Sequence, residues 1–235
     1  MSAGNRLRRA VPFVGSLTDI RTPRPEVVLT YDDGPHPTGT RAVMQALAAH
    51  GATATFFVLL SRARVHPEII GEVTAAGHEI GLHGPDHRRL TSFSAREVVR
   101  RTRDAKRELE DLTGTSVRWF RPPYGAQRLS TWAAVRRAGL EVVLWSATTW
   151  DARHVSMEER LTHALTEVGR GSILLAHDAF ASAADGVDDG DEPEVDRGAL
   201  TSLLLSEFSQ RGLRGTSLSQ ALQHGTPRRT ALFSA

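Results

Sequence analysis

Short apolar, β-branched runs alternate with amphipathic, helix-like runs about six times along the chain, and that rhythm limits its fold more than any other feature. The strand-like runs are residues 26–31, 53–59, 78–82, 117–120, 142–146 and 172–176. Most are apolar at consecutive positions, which fits strands covered on both faces, as in a parallel sheet. Between them, residues 40–49, 67–76, 94–112, 130–138 and 157–168 carry helical spacing, and 200–210 and 216–222 follow the last strand. Gly51, Gly77, Gly114 and Gly139 stand just past helix ends, and Ser94 with Glu97 fits a capping box. Such alternation builds α/β folds, and a closed parallel sheet gathers its loops at the C-terminal ends of the strands. A length of 235 residues at 40% hydrophobic suits a single domain with a full core.

The polar residues of interest fall where that architecture would collect them. Asp32 and Asp33 end the first run, in Thr30-Tyr31-Asp32-Asp33-Gly34-Pro35. His83, Arg121, Asp151 and His177 each follow a later one. Scattered structural polar groups would not all occupy strand ends, so the coincidence points to one shared site. Two carboxylates at the end of a buried strand are costly to desolvate and need a partner, although Asp-Asp-Gly also suits a surface turn. His83 and His87, four residues apart around Gly84-Pro85, can converge on one ion or stand as two surface histidines. Two histidines and a carboxylate make a facial metal site with open positions. Such an ion acidifies water and polarises a carbonyl. One aspartate is then left free as a base. His177 suits either a satisfied structural residue or a general acid toward a leaving amine, and Arg121 either a surface charge or a cation that fixes a carboxylate with a two-pronged hydrogen bond.

Taken in order, Thr30-Tyr31-Asp32-Asp33-Gly34-Pro35, His83-x-x-x-His87, Arg121-Pro122-Pro123-Tyr124, Trp145 with Asp151, and Leu175-Ala176-His177 resemble the motifs of the polysaccharide deacetylases, carbohydrate esterase family 4. The resemblance spans roughly residues 26–222. It implies a distorted (β/α)7–8 barrel that hydrolyses acetyl groups, mostly on N-acetylglucosamine-containing polymers, with one divalent metal. It further implies Asp32 as base, Asp33, His83 and His87 as metal ligands, and His177 as acid. Arg121 would orient Asp32, and Asp151 would tune His177. The Tyr124 backbone N–H would face the oxyanion, Leu175 the acetyl methyl, and Trp150 the sugar. Residues 1–25 then read as an N-terminal arm and 223–235 as a C-terminal tail. Two departures stand out. Gly84 replaces the Ser or Thr that usually braces the metal loop. Thr148-Thr149-Trp150-Asp151-Ala152 keeps only the second acidic residue of its motif, with the Trp displaced.

Composition narrows the partners. The chain has no Cys, so a metal must be held by His and carboxylate, a set suited to zinc first, with cobalt, nickel or iron as alternatives. The net charge is +2, and every basic residue except Lys106 is Arg. Arg100, Arg103 and Arg107 share a helix with Asp104, Glu108 and Glu110, a mixed solvated surface rather than a nucleic-acid face. No apolar run is long enough to span a membrane. The basic run 1–9 leads into an apolar stretch too short for a secretory core, so a cytoplasmic protein is the default expectation. The acidic stretch 185–196 reads as a solvated loop, without the spacing of a calcium loop. Trp119 and Trp145 read as core residues. The expected substrate is an N-acetylated, or less readily O-acetylated, amino sugar or its polymer, with a small N-acylated metabolite or another non-peptide C–N bond as the alternative and a non-catalytic carbohydrate-binding protein as the lesser one.

Overall fold

The structure, a computed structural model, describes residues 14–233; the basic run 1–9 lies outside the described residues. In chain order the strands are β1 (Ser16–Arg21), β2 (Glu26–Asp32), β3 (Thr55–Leu59), β4 (Glu79–Gly84), β5 (Trp119–Phe120), β6 (Glu141–Val142), β7 (Ala147–Thr148), β8 (Ile173–His177), β9 (Arg214–Thr216) and β10 (Thr226–Thr230). The helices are α1 (Gly39–Ala49), α2 (Leu60–Val65), α3 (Pro67–Ala75), α4 (Ala95–Thr113), α5 (Leu129–Arg137), α6 (Met157–Glu167), α7 (Arg197–Gln210) and α8 (Leu218–Leu222). Among the described residues no helix is long and apolar enough to cross a membrane.

Seven strands lie side by side in the order β6-β5-β4-β3-β2-β8-β7, and β9 pairs with the start of β2. Every pairing in this sheet is parallel. The result is the curled (β/α) half-barrel expected of a single-domain fold of this class. The apolar runs are the reason: β3 is buried along its whole length, and β2 and β8 each have only one end residue partly exposed. Outward-facing Tyr31, Phe56 and Leu82 join residues of the surrounding helices, such as Val43, Ile70 and Leu109, in the larger core cluster. Ser94 caps α4 by accepting from the Glu97 N–H, and Gly114 ends it in the left-handed conformation. Only half of the expected capping box forms, because the Glu97 carboxylate turns to Arg100.

The run 142–146 is not one strand. It breaks into β6 and β7, which sit at opposite edges of the sheet although only five Cα–Cα steps connect Val142 to Ala147. The two edges therefore lie within about 18 Å of each other, the reach of that link. The seam is filled by β1, which the sequence reading assigned to an arm. Leu144 N–H donates to the Leu17 carbonyl, and Ile20 N–H to the Gly171 carbonyl. β10, from the segment read as a tail, pairs antiparallel with β1. Leu17 and Ile20 are buried with Val28, Phe57, Trp119, Val143 and Ile173 from the strands and Leu218 from α8. This second cluster is a hydrophobic floor beneath the barrel interior, and it leaves the C-terminal strand ends as the open face.

Candidate active site

The parallel register makes the strand ends level. Asp32 is paired with Phe57 on one side and with His177 on the other, so the last residues of β2 and β8 stand together. After β2 the chain turns sharply: Asp33 has φ 75°, in the left-handed region that Asp tolerates. Gly34 follows with no room for a side chain, since a Cβ there would lie 2.1 Å from Asp178 Oδ2. The buried Asp178 carboxylate holds this turn, accepting from Gly34 N–H at 3.1 Å and Thr40 Oγ1 at 2.5 Å. The turn separates the two aspartates by environment.

Asp32 faces Arg121. Its Oδ1 accepts from Arg121 Nη1 at 2.7 Å, and the same nitrogen reaches Thr30 Oγ1 at 2.8 Å. Arg121 Nη2 donates to the Leu144 carbonyl at 3.1 Å, and the guanidinium lies over the Phe57 ring, wholly buried. Asp33 faces the histidines instead. Its Oδ1 is 3.4 Å from His83 Nε2 and 3.3 Å from His87 Nε2, and it is buried with no hydrogen-bond partner. These three side chains offer donor atoms all within 4.8 Å of one another. His83 Nδ1–H donates to the Arg121 carbonyl at 2.8 Å, which fixes the tautomer and leaves the Nε2 lone pair facing Asp33. Burial alone would raise the Asp33 carboxyl. The approach of His83 and the charges of His87 and His177 outweigh it and hold Asp33 well below the usual carboxylate range. A convergent, ionised carboxylate with an orphaned buried oxygen, facing one nitrogen from each of two imidazoles, fits a divalent cation.

His177 has its Nδ1 2.7 Å from Asp151 Oδ1, while its backbone N–H donates to Asp151 Oδ2 at 2.7 Å. This leaves Nε2 as the free nitrogen. Burial lowers the imidazole, but the charge and hydrogen bond of Asp151, with Asp33 and Asp32 beyond, outweigh it and raise His177 to about 9. Asp151 is held below the ordinary carboxylate range: the His177 contact and the charge of Arg197 overcome its burial.

Asp32, Asp33, His83, His87, Tyr124, Leu175 and His177 line one cavity of about 480 Å³, together with Trp145, Arg153, Phe180 and Asp189. A roomier depression of about 680 Å³ between α4 and α5 holds no such ligand cluster, so chemistry and not size singles out the site. Arg121 and Asp151 sit behind the cavity wall, each touching a lining residue. Trp150 is the exception among the expected residues. Its backbone takes φ 55°, and its ring stacks on His163 of α6 at 3.6 Å, outside the cavity lining. Trp145, read as a core residue, lines the cavity in its place. The acidic stretch is not wholly solvated either. Asp185 is buried in an ion pair with Arg62, and Asp189 joins the cavity wall.

Gly84 has φ 122°, and a Cβ there would come within 2.8 Å of the Asp86 carbonyl oxygen. The loop that carries His83 and His87 therefore has no room for a side chain at position 84 and is braced by other contacts than a Ser or Thr hydroxyl there. Asp86 is held by Arg88 and Arg101, both at 2.7 Å, and the His87 N–H donates to the Asp185 carbonyl.

The family model described as polysaccharide deacetylase matches residues 19–143. A chitooligosaccharide deacetylase from Azorhizobium caulinodans is 36% identical over 166 residues, 70% of this chain and 79% of that one. The peptidoglycan-N-acetylmuramic acid deacetylase PdaC from Bacillus subtilis is 29% identical over 172 residues, and the match covers 73% of this chain but only 36% of PdaC. The solved structure of PdaC has a TM-score of 0.71 at 25% identity, over 86% of this chain and 91% of that one. A CE4 family pseudoenzyme from Bacillus anthracis has a TM-score of 0.74 at 19% identity, over 86% of this chain and 66% of that one. The last likeness is one of fold alone. It shows that this architecture also carries a protein described as a pseudoenzyme, so any argument for catalysis rests on the side chains.

Proposed function

The chain belongs to the polysaccharide deacetylase family, hydrolases of carbon–nitrogen bonds outside peptides, and from that premise we propose that it removes acetyl groups from N-acetylated amino sugars or their oligomers. The observation that carries this reading is the division of the two aspartates. Asp32 is paired with Arg121 at 2.7 Å, whereas Asp33 converges with His83 and His87. A decayed scaffold would have no reason to keep both arrangements beside a His177–Asp151 pair.

In this reading Asp33, His83 and His87 hold one divalent ion, for which zinc suits the donor set. Bound there, the ion would supply Lewis-acid polarisation of the acetyl carbonyl and acidification of water. Asp32 takes a proton from the water that attacks the carbonyl carbon. Arg121 keeps that carboxylate aimed through its 2.7 Å hydrogen bond. The Tyr124 backbone N–H donates to the carbonyl oxygen as it gains negative charge. Tyr124 itself has φ 60°, a conformation that turns the peptide at the lip of the cavity. His177, protonated with Asp151 behind it, gives its Nε2 proton to the departing amine nitrogen, so acetate and a free amine result. Leu175 lies in the cavity wall and meets the acetyl methyl.

Acetate release tests the reading. Metal-stripped protein is given zinc or cobalt and then N-acetylglucosamine oligomers, peptidoglycan fragments or small N-acetyl amino sugars. Metal-dependent release from oligomers is expected. Release from none of these by metal-loaded protein would overturn the proposal, and release from the small compounds alone would replace the polymer by a metabolite.

A further inference from the structure

Asp189 lies in the acidic stretch after β8, where the sequence offers no reason to prefer it over Asp188 or Asp191. In the structure it is the residue of that stretch that reaches the metal-ligand side of the cavity. Its Oδ2 is 3.4 Å from His87 Nδ1, the ring nitrogen opposite the one that faces Asp33. Both of its carboxylate oxygens lie 2.7 Å from Tyr124 Oη, which donates to them. The Tyr124 ring in turn packs against His87, with centroids 4.4 Å apart, and is covered by the Arg89 guanidinium at 3.8 Å. Burial and the charge of Asp189 push the Tyr124 hydroxyl up, so it remains a donor.

The two histidines of the site are thus held differently. His83 Nδ1–H has a short, buried bond to the Arg121 carbonyl. His87 Nδ1 is buried and makes no hydrogen bond of good geometry among the described residues; Asp189 Oδ2 lies 3.4 Å from it. A metal-ligating imidazole needs an acceptor on its other nitrogen to fix its tautomer and orient its ring. Asp189 is on the far side of the ring from the cluster formed by Asp33, His83 and His87, and it is not a member of that cluster. Its place suits an acceptor behind the ligand and not a fourth ligand.

We propose that Asp189 is a positioning residue that locks His87 as a metal ligand and Tyr124 as its neighbour, so that the acidic stretch after β8 closes the metal site from outside. The inference rests on the metal reading given above. In the metal-loaded site the 3.4 Å approach tightens into an Nδ1–H to Oδ2 hydrogen bond, and the carboxylate raises the basicity of the coordinating Nε2. The same carboxylate ties the Tyr124 ring, and with it the peptide whose N–H faces the cavity, to the metal ligand. Loss of Asp189 therefore loosens the ion and the oxyanion donor together.

The experiment is cobalt and zinc binding by the full-length chain, wild type against Asp189→Ala, Asp189→Asn and Asp189→Glu. Affinity is read by competition with a chromophoric chelator, coordination by the visible spectrum of the cobalt form, and folding by the melting of the metal-free proteins. Asp189→Ala is expected to bind zinc about 10- to 100-fold more weakly, the usual effect of removing such an acceptor. Its cobalt spectrum changes and its metal-free melting does not. Asp189→Asn falls between, since its amide oxygen still accepts, and Asp189→Glu recovers part of the loss. If Asp189→Ala fails to fold, Asp189→Asn decides by the same readouts. Wild-type affinity and spectrum in both variants would overturn the inference while leaving the metal reading intact. A wild-type chain that binds neither ion would overturn both.

Discussion

Asp32 and Arg121 form a 2.7 Å ion pair inside the barrel, with both side chains almost completely out of solvent. Such a pair is as much a structural commitment as a catalytic one. Arg121 also satisfies Thr30 Oγ1 and the Leu144 carbonyl, so its removal strands several buried acceptors around an unpaired carboxylate. Breaking a buried pair by deleting one partner costs about 3–5 kcal/mol. Arg121→Ala is expected to destabilise the fold by that amount in urea denaturation. Arg121→Lys, which keeps the charge but not the fork, should fold better and still lose activity. A fully stable Arg121→Ala protein would show that water replaces the guanidinium.

The separation of Asp32 from Asp33 predicts two distinct failures. Asp32→Asn should reduce acetate release by about 10²–10⁴-fold, the range of a lost general base, while zinc affinity stays within a few-fold of wild type. His83→Ala should lose both, because it removes one of the three side chains whose donor atoms converge. Calorimetric zinc titration beside the activity assay separates the cases. Undiminished turnover in Asp32→Asn would remove the base assignment.

His177 makes the activity depend on pH in a stated direction. Its imidazole is raised to about 9, against an ordinary value of 6.5, because Asp151 and the nearby aspartates outweigh its burial. The proton donor is thus present below about 9 and lost above it, which gives kcat/KM an alkaline limb. Loading the site with a cation offsets the charge of Asp33 and moves that limb to lower pH. Asp151→Asn removes the strongest raising influence and moves it lower still. Stability follows the same sign: a folded-state value above the unfolded one contributes fully below about 6.5 and is lost as the pH rises through about 9. Profiles of kcat/KM for the two proteins check this, and coincident alkaline limbs would show that Asp151 does not set the proton on His177.

The catalytic candidates were legible in the sequence because each stands at the end of an apolar run, where the order of the motifs and the chemistry of Asp, His and Arg reinforce each other. Asp33, His83 and His87 converge as that reading requires. What escaped it depends on distant chain or on single dihedral angles. β1 holds only Leu17 and Ile20 as apolar anchors among Ser16, Thr18, Asp19 and Arg21, and its partner β10 lies some two hundred residues away, so no local pattern marks it. A left-handed φ at Trp150 swings that ring onto His163, and the cavity wall is completed by Trp145, whose strand-like run conceals the break between β6 and β7. Asp189 was hidden among equivalent acidic neighbours, since nothing in 185–196 distinguishes the residue that meets His87.

The floor supplied by β1 should matter to stability and not to chemistry. Leu17 is fully buried against Val143 and its neighbours in the second core cluster, outside the lining of the cavity. Leu17→Ala deletes most of that side chain from a packed cluster, and substitutions of this kind cost about 2–5 kcal/mol. The expected result is a lower urea midpoint with an unchanged KM for the folded protein. A change in KM at unchanged stability would mean that the floor transmits to the strand ends.

Metal removal is the broadest check, because it tests the convergence of Asp33, His83 and His87 without any assumption about substrate. A cation that binds only the folded chain stabilises it by about 4 kcal/mol at a thousandfold excess over its Kd. Zinc is therefore expected to raise the melting temperature, and a chelator to return it to the metal-free value. His87→Asn should abolish the increment: its short amide cannot place a donor where His87 Nε2 meets Asp33 Oδ1 at 3.3 Å. Its metal-free melting should stay close to that of metal-free wild type, since His87 makes no buried hydrogen bond of good geometry through its ring Nδ1. Melting of the wild-type chain that is indifferent to both zinc and chelator would refute the metal site, and with it the division of labour between Asp32 and Asp33.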